Sequence, residues 1–285
     1  MRVELAARRE NLLGEGPLWD PSLGRLYWVD IRGKRIEWVE PAHGAEGRCD
    51  LDVRPSALAL CDGGELLVAA ERCIGLLDVR TGVFRPRVFF EEDKPGNRTN
   101  DGGVAGDGRF WFGTMDDGGE PAQGALYALS SDWRVSLLKQ GISIPNGIVS
   151  SPDGRLIYVA DSGEGVIWSY GIVEGALSAP SVFFRSAGAS PDGAAMDAEG
   201  YLWSAQWDGA CVLRLSPDGA VERKIDVPVS RPTACAFGDS DLRTLYITSA
   251  RDGLSADQLM REPLAGSVFS ARTHVAGLQR PLFAA

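Results

Sequence analysis

Six segments of this chain share one shape and recur at a nearly constant interval. Each runs from a polar residue through a small or apolar stretch and a turn rich in Asp and Gly to a strand-like apolar run. They begin at Glu15 (EGPLWDPSLGRLYWVD), Ser56 (SALALCDGGELLVAAE), Asp101 (DGGVAGDGRFWFGTM), Asn146 (NGIVSSPDGRLIYVAD), Asp192 (DGAAMDAEGYLWSAQW) and Thr233 (TACAFGDSDLRTLYITSA). The starts lie 41, 45, 45, 46 and 41 residues apart. A period of about 40–50 residues is that of a propeller blade with four strands. The turns SPDG (151–154), DAEG (197–200) and SPDG (216–219) put Asp and Gly where a tight hairpin needs local hydrogen bonding and positive φ. The runs that follow turns, such as RLYWV, RLIYVA and TLYIT, are rich in β-branched and aromatic residues.

The expectation is an all-β protein: one six-bladed β-propeller spanning residues 1–285. A strand around Arg2–Ala7 is expected to join the last blade, with the run 266–278 as the other closing piece, because an open ring leaves sheet edges unpaired. No sustained helical stripe is present, although 255–266 can hold a short helical turn. Segments 40–50 and 91–100 read as loops. Half a ring could not bury its own inner edges, which excludes two three-bladed domains.

Composition narrows the function. Of 285 residues, 29 are Lys or Arg and 39 are Asp or Glu, a formal charge of −10. Such a surface repels phosphate, so nucleic acid is not an expected partner. No apolar run approaches the roughly 18 residues that span a bilayer. The first residues mix both charge signs without a signal-like apolar stretch, so the expected location is cytoplasmic, without a membrane partner. A monomer is the default for a closed ring. The five cysteines form no CxxC pair and read as reduced, partly buried thiols. His43 and His274 are too few for a His-based metal site, which leaves acid–base work to carboxylates. There is no GxSxG elbow, Walker loop, HExxH or dinucleotide-binding glycine fingerprint.

In a propeller the innermost strand of each blade lines the axial channel, so residues at one repeat phase form a ring. That ring is Glu15, Ser56, Asp101, Asn146, Asp192 and Thr233. The ends of the second strands, at Asp30, Glu71, Met115 with Asp116, Asp161, Trp207 with Asp208, and Arg251, are expected around the same mouth. Three carboxylates and an amide converging near the axis would repel and lose hydration. A bound dication resolves this, and oxygen ligands favour Ca, Mg or Mn, with Zn and Fe(II) also accepted. The plainer reading is that these residues only cap turns.

The motifs LGEGPLWD (13–20), NRTNDGGVAGDGRFWFGTM (97–115), QGALYAL (123–129), IPNGI (144–148), SPDGAAMDAEGYLWSAQW (190–207) and SARDGL (249–254) occur in order along nearly the whole chain. Together they resemble the senescence marker protein 30, or regucalcin, family of gluconolactonases and bacterial sugar-acid lactonases. The look is nearest to the pentonolactonase or hexonolactonase branch, xylonolactonases included. The resemblance implies that Glu15, Asn146 and Asp192 hold one divalent metal ion. It implies that Arg98 and Asn100 contact the sugar lactone and that Asp192 also takes a proton. An acidic substrate contact that some relatives carry after GTM falls here on Gly118, between Asp117 and Glu120.

The implied reaction is hydrolysis of an aldonolactone to the free sugar acid. Water attacks the carbonyl carbon while the ion stabilises the charge developing on oxygen. A metal ligand is a weakened base, so water activated by the ion stands as an equal choice, with Asp101 as a secondary base. Arg98 has a plainer reading as a loop salt bridge to Glu91, Glu92 or Asp93, and Trp207 as core packing rather than a sugar-stacking wall. Two other functions fit the scaffold: a calcium-dependent phosphotriesterase, and a non-enzymatic interaction propeller.

Overall fold

Each repeat segment forms the two innermost strands of one antiparallel sheet. The computed structural model describes residues 1–173 and 175–285. The inner strands are Gly14–Asp20, Pro55–Leu60, Asn97–Val104, Pro145–Ser150, Ser190–Met196 and Pro232–Gly238. Each pairs with the strand that follows it in sequence, and four-stranded meanders result. The fourth sheet carries one extra short strand, Ala176–Leu177. Neighbouring inner strands pack against one another around a closed ring, the sixth against the first. This is a six-bladed β-propeller.

The sixth blade takes strands from both ends of the chain. Its order is Pro232–Gly238, Thr244–Ser249, Val268–Arg272 and then Val3–Ala7, which pairs antiparallel with Val268–Arg272. Thr233 adds a stitch between the last blade and the first, its hydroxyl donating to the Gly14 carbonyl at 2.5 Å. Ser56 does the same between the second and third blades, donating to Thr99 Oγ1 at 2.6 Å.

The core lies between blades. Trp111 and Trp203 stand at matching positions on the second strands of the third and fifth blades, where the first blade has Tyr27, and Trp28 lies one residue further along; all are fully buried. Each indole N–H is satisfied, that of Trp28 by Asn11 Oδ1, that of Trp111 by Asp107 and that of Trp203 by Asp197 Oδ2. The three Asp-Gly turns close as expected, with Gly154, Gly200 and Gly219 at φ of 68°, 82° and 84°. A short helix, Ala256–Arg261, occupies the stretch that reads as a helical turn, and a capping box at Ser255 and Gln258 starts it.

Two loop expectations are corrected. The stretch 40–50 contains the outer strand Ala45–Asp50, and 91–100 contains the start of the inner strand Asn97–Val104. An outermost strand has solvent on one edge and much of both faces, so its sequence lacks the apolar alternation that marks a strand. The five cysteines are all free thiols, four of them buried. Among the described residues no helix is long and apolar enough to cross a membrane.

Candidate functional site

Every inner strand is bulged at the ring position. The register of the inner pair shifts between Glu15 and Leu18, Pro55 and Ala57, Thr99 and Gly102, Asn146 and Val149, Pro191 and Ala194, and Pro232 and Cys235. A bulge bends the strand and re-aims the side chain it carries. At Gly16 and Gly147 the bulge needs φ of 54° and 56°, a conformation that suits glycine. A side chain on Gly147 would also strike the Asp192 carbonyl, at 2.9 Å from its Cβ.

At the end of the channel where the inner strands begin lies a cavity of about 280 Å³, lined by Glu15, Arg98, Asn100, Asn146 and Asp192. All five are buried, at 4–8% exposure. Met115 and Trp207 form apolar wall, and Arg32, Ser162, Ser190 and Asp252 complete the polar lining.

The carboxylates are under electrostatic stress. Burial, then the charges of Asp192 and Asp101, pushes the Glu15 carboxyl well above the usual range. Burial and Asp101 do the same to Asp192. Glu15 Oε2 accepts one hydrogen bond, from the Gly16 N–H at 3.0 Å. Asp192 Oδ1 is buried and has no hydrogen-bond partner. A buried charged oxygen without a partner is costly, and a cation held against it would offset that cost.

The polar groups beside them are tied into one relay. Asn146 Nδ2 donates to Ser162 Oγ at 2.8 Å, and the Ser162 hydroxyl donates to the Pro191 carbonyl at 2.6 Å. This holds the Asn146 amide in one sense, with Oδ1 accepting from Asn100 Nδ2 at 3.0 Å. Asn100 Nδ2 also donates to the Pro145 carbonyl, and its Oδ1 accepts from Arg98 Nη1 at 2.8 Å. Both amide hydrogens of Asn100 are therefore engaged. Arg98 Nε donates to Asp117 Oδ1 at 2.7 Å, and Arg54 Nη1 donates to Asp117 Oδ2 at 2.7 Å. Burial alone would raise the Asp117 carboxyl, but the hydrogen bonds from Arg54 and Arg98 outweigh it and hold it below the usual range. Among the described residues Arg98 Nη2 makes no hydrogen bond.

Several expectations are revised by this geometry. Arg98 is not bridged to Glu91, Glu92 or Asp93. The Glu91 carboxylate is taken by Asn97, Thr114 and Tyr127. Ser56 and Thr233 share the ring phase but spend their hydroxyls stitching blades. Asp30 and Asp161 end second strands as expected, yet do not line the cavity. Each is buried and accepts backbone N–H bonds, Asp30 from Leu12, Leu13 and Gly33, Asp161 from Ser143, Ile144 and Gly163. They pin the segments leading into the inner strands. Trp207 does line the cavity, and Arg231 lies over its ring at 4.8 Å. Asp117, Ser162, Arg32 and Asp252 were missed. Asp117 and Ser162 each follow directly on a second-strand end, so the repeat phase held a signal for both.

Among the described residues, no three His, Cys, Asp or Glu side chains gather into a metal cage. The donors that do meet are two carboxylates and an amide. Asn146 Oδ1 accepts one bond and keeps a second lone pair. Together with the orphaned Asp192 Oδ1 and with Glu15, that makes an all-oxygen set suited to a hard dication. The residues fit a single divalent ion.

Comparison with known proteins places the chain among its relatives. The model of the SMP-30/Gluconolactonase/LRE-like region matches residues 13–251. A 6-deoxy-6-sulfogluconolactonase of Pseudomonas putida is 38% identical, covering 99% of this chain and 98% of the relative. An L-arabinolactonase of Azospirillum brasilense is also 38% identical, over 99% of this chain and 96% of the relative. The crystal structure of a calcium-binding protein, regucalcin, from Agrobacterium tumefaciens superposes with a TM-score of 0.94 at 33% identity, covering 99% of this chain and 98% of that one.

Proposed function

Because the chain belongs to the SMP-30/gluconolactonase/LRE-like family, we infer that it is a carboxylic-ester hydrolase that opens sugar lactones to sugar acids. The substrate class is an aldonolactone, such as glucono-, xylono- or arabinonolactone. Relatives named for a sulfogluconolactone and for an arabinolactone both align over nearly their full length.

Glu15, Asn146 and Asp192 are the residues that would hold one dication, from among Ca, Zn, Mn, Mg and Fe(II). Bound there, the ion supplies a Lewis acid for the lactone carbonyl oxygen. The observation that carries this reading is the unpartnered Asp192 Oδ1 in a cavity shared with Glu15, Arg98 and Asn146.

The side chains divide the remaining work. Arg98, fixed through Nε on Asp117 and Nη1 on Asn100, presents Nη2 to a ring hydroxyl and sets the approach of the ester. Asn100 offers the one lone pair left on Oδ1 and otherwise holds Arg98 and Asn146 in register. Met115 and Trp207 exclude water from the apolar face of the ring. The attacking water gives a proton to the Asp192 carboxylate, or loses it with the help of the bound ion, as its oxygen bonds to the carbonyl carbon. When the tetrahedral centre collapses, the bond to the ring oxygen breaks. That oxygen takes back the proton that the attacking water gave up and leaves as the hydroxyl of the sugar acid, which restores the Asp192 carboxylate.

The test is a panel of freshly prepared aldonolactones, assayed on chelator-treated protein and after return of each dication. Activity should vanish on chelation, return with a dication, and be absent in Asp192→Ala whatever ion is added. Full turnover in Asp192→Ala, or in metal-stripped protein, would overturn the assignment.

A further inference from the structure

The channel has a second end, and the chain closes it with its own tail. Gly277 bridges to Asp197 beside the fifth blade, and Leu278 N–H donates to the Met196 carbonyl at 3.0 Å. Six residues on, Phe283 bridges to Cys61 of the second blade and its N–H donates to the Leu60 carbonyl at 2.8 Å. The second and fifth blades stand opposite each other in the ring. The tail is therefore a strap across the full diameter, anchored by the wholly buried Phe283 ring.

Arg280 lies at the middle of that strap. Its Nη2 donates to the Ala194 carbonyl at 3.2 Å. Its Nη1 lies 3.3 Å from where a Cβ on Gly103 would stand. Ala194 is two residues beyond Asp192, and Gly103 two beyond Asp101, so the guanidinium sits about two strand residues, roughly 7 Å, below the carboxylate ring. Among the described residues no carboxylate comes within ion-pairing distance of it. Asp153, at the outer wall of the cavity on this face, is the other acid nearby. Arg280 opposes the effect of burial on Asp101, the ring carboxylate that does not line the substrate cavity.

We propose that Arg280 is the counter-charge for Asp101, neutralising from the floor of the channel the one ring carboxylate that the metal site above does not use. The charges then balance. Glu15, Asp192 and Asp101 carry three negative charges against two from a dication and one from Arg280. A low-dielectric channel favours such neutrality strongly. Arg280 is thus a positioning residue that sets the field under the site and limits how tightly a dication is held. This rests on the metal-site reading above only for the part concerning the dication.

Arg280→Met, Asp101→Asn and the double variant test it in metal-stripped full-length protein, with Arg280→Lys as the conservative control. Thermal unfolding without metal should show Arg280→Met destabilised, and the loss should shrink by at least half in the Asp101→Asn background. Calorimetry with calcium, magnesium or manganese chloride should show Arg280→Met binding the dication about tenfold more tightly than the parent. Asp101→Asn should bind it more weakly than the parent, the double variant should return near the parent affinity, and Arg280→Lys should resemble the parent. An equal loss in both backgrounds would mean that Arg280 only packs the strap, and would refute the proposal, as would weaker dication binding in Arg280→Met. If no protein in the set bound a dication, the metal-site reading would fail, while the metal-free cycle would still decide the Arg280–Asp101 coupling.

Discussion

Replacing Asp192 by Asn should stabilise the metal-free protein while destroying its function. The carboxylate is buried at 4% exposure, one oxygen has no partner, and Glu15 and Asp101 bear on the same space. Asn keeps the shape and removes the charge. Removing the charge from one buried, unpartnered carboxylate is worth about 1–3 kcal/mol, which in a chain of this size raises the melting temperature by about 2–6 °C. The sign varies with pH in a defined way. Glu15 and Asp192 have folded-state pKa values raised above the unfolded ones. Their protonation therefore favours the fold below about pH 4, and that contribution is lost as pH rises through the folded values. The advantage of Asp192→Asn should consequently widen from pH 5 to pH 8. Added dication should invert the order, stabilising the parent by the mass action of binding and leaving the variant unchanged. Scanning calorimetry in chelator and in excess dication reads both effects. A metal-free variant that melts below the parent at pH 7.5, or one stabilised by dication as much as the parent, would refute the reasoning.

Other consequences follow from the same contacts. Ser162→Ala frees the Asn146 amide to rotate and should weaken dication affinity about 10–100-fold, by calorimetry, with the circular dichroism spectrum unchanged. Asp117→Asn removes the carboxylate that orients Arg98, so KM for the lactone should rise about tenfold while kcat changes less, a split that steady-state kinetics resolves. Thr233→Val cuts the stitch between the last and first blades and should cost about 1–3 kcal/mol in denaturant unfolding, without altering dication affinity.

The architecture was legible because a propeller writes its period into the chain, and because polar residues at the ring phase have no structural reason to recur unless they meet. The same phase argument overreached at Ser56 and Thr233. Their hydroxyls can satisfy a neighbouring blade, which a carboxylate cannot do with a backbone carbonyl. It overreached again at Asp30 and Asp161, where a short acid at a strand end is what a backbone N–H cluster needs. The link from Arg98 to Asp117 was hidden because Asp117 lies just past the end of the strand paired with that of Arg98, 19 residues away, while nearer acids at 91–93 competed on sequence distance alone. Outer strands such as Ala45–Asp50 were hidden for lack of a buried face.

The blade shared by the two ends of the polypeptide has a consequence for biosynthesis. A chain emerging from the ribosome can complete its first five blades in order. The strand Val3–Ala7, made first, has no partner until Val268–Arg272 has been translated. For most of the synthesis of these blades the nascent protein therefore carries this strand unpaired, exposing edges of the kind that recruit chaperones or pair with the wrong neighbour. Substitutions that slow the last blade should show their harm in yield from living cells before they show it in the purified enzyme.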